Sequence, residues 1–393
     1  MKKVLYFFPD NMALQNAGNI TRAMYLLKYF SQKGYEVDFA SIRNEKGDTE
    51  ADPKTVDLLE SAKLAANVYL LPRKPGKNNP VLYFFKYKMW DLIYYLFTFP
   101  FKSNIPTFMT LKLKRAFEGL LKQKEYDYII ISYIYYADMV ASKVLTGKAK
   151  LIIDTHDFIT AQFKYKKRFN LGATFEDEIN RLNAFDEVWA ISAEERYLFN
   201  QFCKAKVRLV PMMMDAPAAN GDAQLAEPKI YDVIYVASDN VHNQRAANWF
   251  FNEIYPLLPA GTHICVIGKI NQFIPDTYVI TRVPFVDNLD SYYRKAKIAI
   301  CPMLSGTGVK VKVVEALAHG LPVVCTEYGT DGLPNKIDNG CLVTGNAATY
   351  ARLMIQLLTQ PALYAQQQAL AKRLFDQYFE AGVSYQMLDE LFV

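Results

Sequence analysis

Residues 305–324 read SGTGVKVKVVEALAHGLPVV: a Gly-Thr-Gly turn, a helix-length segment and a short apolar run. The apolar run at 297–303, just before them, predicts a strand. Gly320 and Pro322 predict the end of a helix of about three turns, because glycine commonly ends helices and proline cannot continue them. A glycine-rich turn that joins a parallel strand to a helix presents backbone N–H groups at the positive end of the helix dipole. The segment therefore predicts an anion site that would fit a diphosphate.

Three charged side chains accompany this turn. Lys310 and Lys312 lie near enough to add positive charge to an anion, although an ordinary surface ion pair explains the two lysines equally well. Lys312 and Glu315 are three residues apart and therefore share one face of the helix. Glu315 has apolar neighbours in the sequence, and a buried carboxylate needs a specific partner. We expect that partner to be a ribose diol.

Apolar runs of strand length alternate with helix-length segments along the whole chain. Continuous apolar strands separated by helices indicate parallel sheets that are covered on both faces. A stretch rich in Ala, Pro, Gly and Asp at 214–230 divides the runs into two sets, so we predict two Rossmann-like α/β domains in tandem. The predicted strands are 3–8, 35–42, 67–72, 126–133, 150–155, 186–192 and 207–211, then 231–238, 262–268, 278–283, 297–303, 321–326 and 340–344.

Size and composition agree with this organisation. The chain has 393 residues, of which 51% are hydrophobic and 22% charged, as expected for a folded protein of two domains. The five cysteines show no paired spacing, which favours a reducing cytoplasm over a disulfide framework. The apolar run of the N-terminal MKKVLYFFPD is too short for a signal peptide, so we expect it to form the first strand. A net charge of +5 without a recognised motif argues against nucleic-acid binding.

Residues 302–324 fit the pattern P-x3-G-x-G-V-K-x-K-V-x-E-A-x-A-x-G-L-P-V-V. This pattern resembles the donor-domain signature of retaining glycosyltransferases of the GT4 family, also called glycosyl transferases group 1. Many of these enzymes build bacterial polysaccharides and lipid-linked oligosaccharides. The segments 17–37, 186–196 and 234–258 are similar, in order, to the first loop and helix, the end of the N-terminal domain and the start of the donor domain of that family.

The resemblance implies a GT-B fold, in which two Rossmann-like domains with parallel sheets face each other across a cleft. We therefore expect an acceptor-binding domain at 1–212, a linker at 213–230 and a nucleotide-sugar-binding domain at 231–375. A C-terminal helix at 376–393 would pack back on the N-terminal domain. The implied reaction moves a sugar from a UDP- or GDP-linked donor to a glycan or lipid-linked acceptor, with retention of configuration and no further cofactor.

The resemblance also implies a donor site. Glu315 would hold the ribose hydroxyls, and a loop of Gly306, Thr307, Gly308 and Val309 would lie under the phosphates and sugar. Members of the family usually have two glutamates eight residues apart. Glu315 stands at the position of the second glutamate, but this chain has Thr307 at the position of the first. This departure affects which sugar is bound.

A second departure follows the strand at 231–238, where many relatives place an arginine. This chain instead has Ser238, then Asn243 and Arg245, which we take as donor-binding candidates. Positive charge on the leaving diphosphate must then come from Lys310, Lys312 or Arg245, and we assign a catalytic role to Lys312 and Glu315.

The N-terminal half supplies further candidates. Gly18 lies between the first strand and a helix, where it serves either close approach to the donor phosphates or a simple turn. Arg22, one turn later, faces either the cleft or solvent. His156 and Asp157 follow a buried strand, where parallel sheets place ligand sites. A lone histidine is usually structural, but the location and the family's cleft histidine favour a catalytic role for His156. His242, His263 and His319 are interpreted as structural.

Two other classes of protein remain open. One is a different enzyme on the same fold, such as a nucleotide-sugar epimerase or a phosphorylase. The other is a non-catalytic protein that binds nucleotide or acts as a scaffold. We expect no metal, because the sequence has no D-x-D in a strand-end loop and no His/Cys cluster with ligand spacing. Lysines and helix N-termini would stabilise the diphosphate instead, and no protein nucleophile is assigned.

The segment 73–125 concentrates positive charge, with eleven Lys and Arg residues against three acidic ones. Within it, residues 81–101 are rich in aromatics but interrupted by Lys86, Lys88 and Asp91, so they cannot span a bilayer. Either this segment lies on an anionic membrane surface, or its aromatic residues form a packed insert of the acceptor domain. The first alternative predicts a peripheral protein on the inner face of the plasma membrane.

Overall fold

The computed structural model describes residues 1–14, 18–44, 51–74, 79–98, 105–140, 143–164, 166–217, 228–286 and 288–392. The chain forms two compact units, Met1–Leu209 and Val210–Val393. Each unit is built around one parallel sheet, and helices connect most of its successive strands. The predicted α/β class with two Rossmann-like domains is therefore confirmed.

The sheet of the N-terminal unit consists of β1 Lys3–Phe7, β2 Glu36–Ile42, β3 Asn67–Leu71, β4 Tyr128–Ser132, β5 Lys150–Asp154, β6 Glu187–Ala190 and β7 Lys206–Leu209. The strands pair in parallel in the order β3-β2-β1-β4-β5-β6-β7. All five residues of the central strand β4 are buried. Burial on both sides explains why the strand sequence YIIIS is continuously apolar up to its last residue.

The helices of this unit are α1 Gly18–Gln32, α2 Ala51–Ser61, α3 Pro80–Tyr83, α4 Met89–Thr98, α5 Leu111–Gln123, α6 Lys143–Thr146, α7 Ile159–Phe163, α8 Leu171–Leu182 and α9 Ala193–Phe202. A π-helical turn, Phe84–Lys88, joins α3 to α4. The side chains of Thr110, Asn170 and Ser192 each accept a hydrogen bond from a backbone N–H three residues later. These caps define where α5, α8 and α9 begin.

The sheet of the C-terminal unit consists of β8 Tyr231–Val236, β9 Ile264–Ile267, β10 Thr281–Val283, β11 Ala296–Cys301, β12 Val323–Cys325 and β13 Cys341–Val343. Its parallel order is β10-β9-β8-β11-β12-β13. Every apolar run predicted as a strand, in both halves of the chain, forms one within a few residues of the predicted bounds.

The helices of the C-terminal unit are α10 Val241–Trp249, α11 Asp290–Arg294, α12 Val311–Ala318, α13 Ala347–Thr359, α14 Pro361–Tyr378 and α15 Ala381–Asp389. The helix after the Gly-Thr-Gly turn is shorter than predicted, because α12 has 8 residues and begins only at Val311. Lys310 keeps an extended backbone with ψ of 98° at the N-cap position, so Val309 and Lys310 belong to the loop. Gly320 follows the helix with φ of 63°, as expected for a helix-ending glycine.

Part of the segment predicted as a linker is built into the C-terminal unit. The N–H of Met214 donates to the carbonyl of Phe379 at 2.9 Å, and the N–H of Ala381 donates to the carbonyl of Met214 at 2.9 Å. These bonds tie the start of the segment to the junction between α14 and α15. Residues 218–227 of the predicted linker lie outside the described residues.

Candidate active site

The glycine-rich loop predicted to hold an anion connects β11 to α12. Gly306 and Gly308 have φ values of 107° and 76°, in a region of backbone conformation that residues with a Cβ atom rarely adopt. The loop therefore depends on both glycines to turn between the carboxyl end of β11 and the N-terminus of α12. Val309 packs against the backbone at Gly332. A Cβ atom added to Gly332 would lie 2.5 Å from Cγ2 of Val309.

Three of the predicted donor-site residues form one hydrogen-bonded chain. Nζ of Lys312 donates to Oδ1 of Asn243 at 2.8 Å, and Nδ2 of Asn243 donates to Oγ of Ser238 at 2.9 Å. Asn243 is buried, and its own N–H donates to Oδ1 of the N-cap residue Asn240 at 2.9 Å. The first turns of α10 and α12 therefore meet at the carboxyl ends of β8 and β11. Arg245 lies exposed on α10.

Lys310 of the loop and Lys312 of α12 occupy different environments. Nζ of Lys310 donates to the carbonyl oxygens of Thr307 and Gly308 at 3.2 and 2.7 Å, and it lies 3.8 Å from Oδ2 of Asp331. Lys310 therefore holds the loop in shape. Burial lowers the pKa of Lys312, and the charge of Lys310 lowers it further, while Cys301 and Glu315 act in the opposite direction. Lys312 is the cation that α12 itself presents beside Asn243.

Glu315 is held by a tyrosine from α11. The hydroxyl of Tyr293 donates to Oε2 of Glu315 at 2.9 Å. Among the residues that the structure describes, no donor reaches the other carboxylate oxygen, Oε1. Burial raises the pKa of Glu315 and Asp290 adds to this effect, against the opposing effects of the Tyr293 hydrogen bond and the Lys312 charge. The carboxylate is thus oriented, with one oxygen available to a hydroxyl donor.

Two histidines interpreted as structural lie close to this site. Nδ1 of His242 lies 2.7 Å from Oγ of Ser305, at the entrance of the glycine-rich loop. The ring of His319 stacks on Tyr293 with centroids 4.9 Å apart, and its Nδ1 lies 2.8 Å from the carbonyl oxygen of Glu315. His242 lies in the first turn of α10, six residues after Val236, the last residue of β8.

The N-terminal unit brings together a second group, at the carboxyl ends of β4 and β5. Arg22, which the sequence left facing either a cleft or solvent, is completely buried and forms an ion pair with Asp154. Its Nε lies 3.0 Å from both carboxylate oxygens, and one terminal nitrogen lies 2.8 Å from Oδ1. Burial alone would raise the pKa of Asp154, but the charges of Arg22 and His156 hold it well below its ordinary value.

His156 belongs to the same group. Its Nε2 lies 3.1 Å from Oδ2 of Asp154, and its ring stacks on Tyr133 with centroids 4.3 Å apart. Both residues have positive φ, 61° for His156 and 68° for Tyr133, which is uncommon for residues other than glycine. Such backbone conformations persist only where the surroundings enforce them, and they are frequent at functional sites.

The loop after β1 and the start of α1 add two polar residues. Nδ2 of Asn19 donates to Oδ2 of Asp10 at 2.6 Å. Gly18 is the first residue of α1, directly before Asn19. Sequence reasoning did not select Asp10, Asn19 or Tyr133, although each stands at the end of a strand or the start of a helix.

These two groups differ in the chemistry that they offer. The glycine-rich loop, the N-terminus of α12 and Lys312 provide positive potential for an anion, and Glu315 provides an acceptor for hydroxyl groups. A nucleoside diphosphate combines these two features. Within the described part of the chain, no group of three or more His, Cys, Asp or Glu residues is placed to hold a metal ion.

Comparison with known proteins gives a family match within the C-terminal unit. Residues 231–360 match the family described as Glycosyl transferases group 1, which confirms the resemblance expected from the sequence. The matched range includes the glycine-rich loop, Lys312 and Glu315. The chain is also similar to a Klebsiella pneumoniae protein named "Uncharacterized 44.6 kDa protein in cps region", with 20% identity over 391 residues and 90% of each chain covered.

Solved structures extend the likeness to the whole chain. Sucrose-phosphate synthase from Thermosynechococcus elongatus superposes with a TM-score of 0.70 at 15% identity, covering 100% of this chain and 98% of that one. HepE of Anabaena, solved in complex with UDP and glucose, superposes with a TM-score of 0.67 at 12% identity, covering 100% and 99%. The chain therefore has the GT-B fold, and together with the family match this supports glycosyl transfer as its activity.

Proposed function

We propose that this protein transfers a sugar from a nucleotide-sugar donor, linked to UDP or GDP, to a glycan or lipid-linked acceptor. The observation that carries the proposal is the hydrogen-bonded chain Ser238–Asn243–Lys312 beside a glycine-rich loop and an oriented Glu315. The family match over the same residues and a structural neighbour that was solved with UDP support this choice of donor.

In the proposed site, the β-phosphate lies against the loop of Gly306, Thr307 and Gly308 and the N-terminus of α12. Lys312 neutralises the charge that develops on the leaving diphosphate, which preorganised cations do without any rearrangement. Lys310 acts mainly by holding the loop, because its ammonium group is already engaged by two loop carbonyls. Glu315 accepts hydrogen bonds from the ribose hydroxyls through Oε1.

The N-terminal unit supplies the acceptor side. His156 is our candidate for contact with the transferred sugar, since its imidazole lies 3.1 Å from the Asp154 carboxylate and stacks on the Tyr133 ring. We propose retention of configuration, with the nucleoside diphosphate leaving from the face on which the acceptor hydroxyl enters. The reaction then needs neither a protein nucleophile nor a metal ion. The similar protein encoded in a cps region supports a role in bacterial polysaccharide synthesis.

The alternatives predict different products. An epimerase or phosphorylase on the same fold would act on the donor without a glycan acceptor, and a scaffold would bind nucleotide without turnover. The decisive experiment is a donor screen by thermal shift, followed by mass spectrometry of acceptor mixtures with each stabilising donor. A mass increase of one sugar on an acceptor supports the proposal. Conversion of the donor alone, or binding with no product for any acceptor tested, favours one of the two alternatives.

A further inference from the structure

The helix formed by α3, the π-helical turn and α4 presents apolar side chains to solvent. Val81, Phe85 and Trp90 are 67%, 58% and 52% exposed, and Leu82, Phe84, Leu92 and Ile93 are also exposed. None of the residues Pro80–Lys88 is buried. A globular protein seldom leaves so many large apolar side chains together on one surface unless they bind something.

The helix is oriented with its apolar residues outward. The partly buried positions along it are Tyr83, Tyr87, Met89 and Asp91, so the inward side carries two phenols, one thioether and a carboxylate. Oδ1 of Asp91 accepts a hydrogen bond from the N–H of Leu111 at 3.0 Å, which ties the helix to the start of α5. This arrangement is the reverse of a helix that buries an apolar stripe in its own core. The packed-insert alternative therefore does not account for the outward residues.

We propose that this outward surface, residues 81–93, docks on an anionic lipid bilayer. Lys86 and Lys88 are exposed on the same helix as the apolar residues, and the segment 73–125 carries eleven basic residues against three acidic ones. Aromatic and aliphatic side chains would enter the boundary between headgroups and acyl chains, while the lysines remain at the level of the anionic headgroups. A bilayer supplies both parts of this complementarity over a broad, flat area.

A second copy of the chain fits the surface less well. Pairing this helix with the same helix of another copy would bring Lys86 and Lys88 close to their own counterparts, and like charges repel. A spanning helix does not fit either. In the described part of the chain, no helix is both long and apolar enough to cross a membrane. The surface therefore suits a helix that lies in the plane of the membrane interface.

A cavity of about 470 Å³ opens beside the same helix. Its charged lining residues are Lys74, Lys88 and Asp91, and its apolar ones include Phe84, Leu92 and Met109. The two lysines suit the phosphate of a lipid and the apolar side chains suit the start of its chain, while Asp91 is engaged by the N–H of Leu111. Docking itself does not depend on glycosyl transfer. If the proposed function is also correct, docking would make the acceptor a lipid-linked one.

The test is flotation of the full-length protein with vesicles of phosphatidylcholine alone or mixed with phosphatidylglycerol. We expect binding to the mixed vesicles, weaker binding in high salt as surface charge is screened, and little binding to phosphatidylcholine alone. Lys86→Gln with Lys88→Gln should weaken binding about 30-fold, since each lysine near an anionic surface contributes about five-fold. The matched control, Lys148→Gln with Lys269→Gln, should bind like the wild type.

Trp90 allows insertion to be observed directly. The chain has three tryptophans, and Trp189 and Trp249 are buried while Trp90 is exposed. Binding should shift the fluorescence of Trp90 to the blue, and brominated lipids should quench it; both signals should vanish in Trp90→Phe. Phe85→Ser should reduce binding, whereas Val279→Ser, at an exposed position of the other unit, should not.

Several outcomes would overturn the docking proposal. They are no flotation with either vesicle, equal flotation with both, unchanged binding in Phe85→Ser, or no quenching of Trp90. Self-association that light scattering detects and Phe85→Ser abolishes would assign the surface to a second copy instead. Because none of these measurements uses a sugar donor, their failure is separate from a failure of the proposed transfer activity.

Discussion

The hydroxyl of Tyr293 and the carboxylate of Glu315 are joined by a 2.9 Å hydrogen bond between α11 and α12. The bond engages Oε2 and orients the carboxylate, and among the described residues no donor reaches Oε1. It also connects the candidate donor site to a completely buried side chain, since Tyr293 is 1% exposed. The geometry of Glu315 is therefore set by the core of the C-terminal unit and exists before any ligand binds.

The first prediction concerns Glu315. Glu315→Gln should weaken nucleoside diphosphate binding by about 1.5–3 kcal/mol, the usual contribution of a hydrogen bond to a charged group. Isothermal titration measures the affinity, and circular dichroism checks that the amide variant is folded. Tyr293→Phe keeps the ring and removes the orienting bond, so we expect a smaller loss of affinity in the same direction. Wild-type affinity in Glu315→Gln would remove this residue from the site.

The second prediction concerns Thr307, which stands where the resemblance implies a glutamate. Thr307→Glu places a carboxylate beside the sugar of the proposed donor, so it should change sugar preference or abolish transfer. Binding of the bare nucleoside diphosphate should stay nearly intact. The measurement compares the affinities for the nucleotide-sugar and the nucleotide in both proteins. An equal loss for the two ligands would mean that Thr307 serves the phosphate loop.

The third prediction concerns His156. Asparagine tolerates positive φ better than most residues, so His156→Asn removes the imidazole without adding backbone strain. We expect transfer to fall about 100-fold, as for loss of one preorganised hydrogen-bond donor, with nucleotide affinity unchanged. Steady-state kinetics and titration separate the two effects. The control His263→Asn alters an exposed histidine of the other unit, and equal activity in the two variants would make His156 structural.

The strands of both sheets could be predicted because each is an apolar run bounded by turn-forming residues, and burial on two faces leaves that pattern in the sequence. The glycine-rich loop was equally visible, since Gly306 and Gly308 are both needed for its backbone. The start of α12 was not. Whether Lys310 belongs to the helix or to the loop depends on the carbonyl oxygens of Thr307 and Gly308. Its side chain contacts these oxygens only in the folded loop.

Partners distant in the sequence account for most of what was missed. Arg22 and Asp154 are 132 positions apart, and no local pattern distinguishes a buried arginine from an exposed one on the first turns of a helix. Tyr133 and His156 meet because β4 and β5 are neighbours in the sheet and their ends coincide. Strand order is a tertiary property, so these contacts follow from the fold and not from the spacing of residues.

The fourth prediction concerns the ion pair of Arg22 and Asp154. Arg22→Leu leaves Asp154 charged and buried without its guanidinium partner, which should lower the free energy of unfolding by about 3–5 kcal/mol. Adding Asp154→Leu removes the unpaired charge, so the double variant should be more stable than Arg22→Leu alone. Denaturant unfolding of the wild type, the two single variants and the double variant measures the coupling energy between Arg22 and Asp154. The exposed pair Lys372–Asp376 is the control, and there we expect about 0.5 kcal/mol or less.

The last prediction concerns Glu195 and pH. Burial raises the pKa of this carboxyl group to about 8 and the charge of Asp157 adds to the effect, against an opposing hydrogen bond from the N–H of Ile191. The ordinary value is 4.5, so below pH 4.5 both the folded and the unfolded chain hold the proton. Between pH 4.5 and about 8 only the folded state keeps the proton, and the free energy of unfolding should fall with rising pH by at most about 1.4 kcal/mol per pH unit.

Glu195→Gln should remove this loss, so its advantage in stability over the wild type should grow from pH 5.5 to pH 8 when denaturant midpoints are compared. Glu178, whose pKa burial raises to about 7, contributes a slope of the same sign to both proteins. Glu194→Gln changes an exposed neighbour on the same helix turn and should follow the wild type; a pH-independent difference between Glu195→Gln and the wild type would contradict the raised pKa.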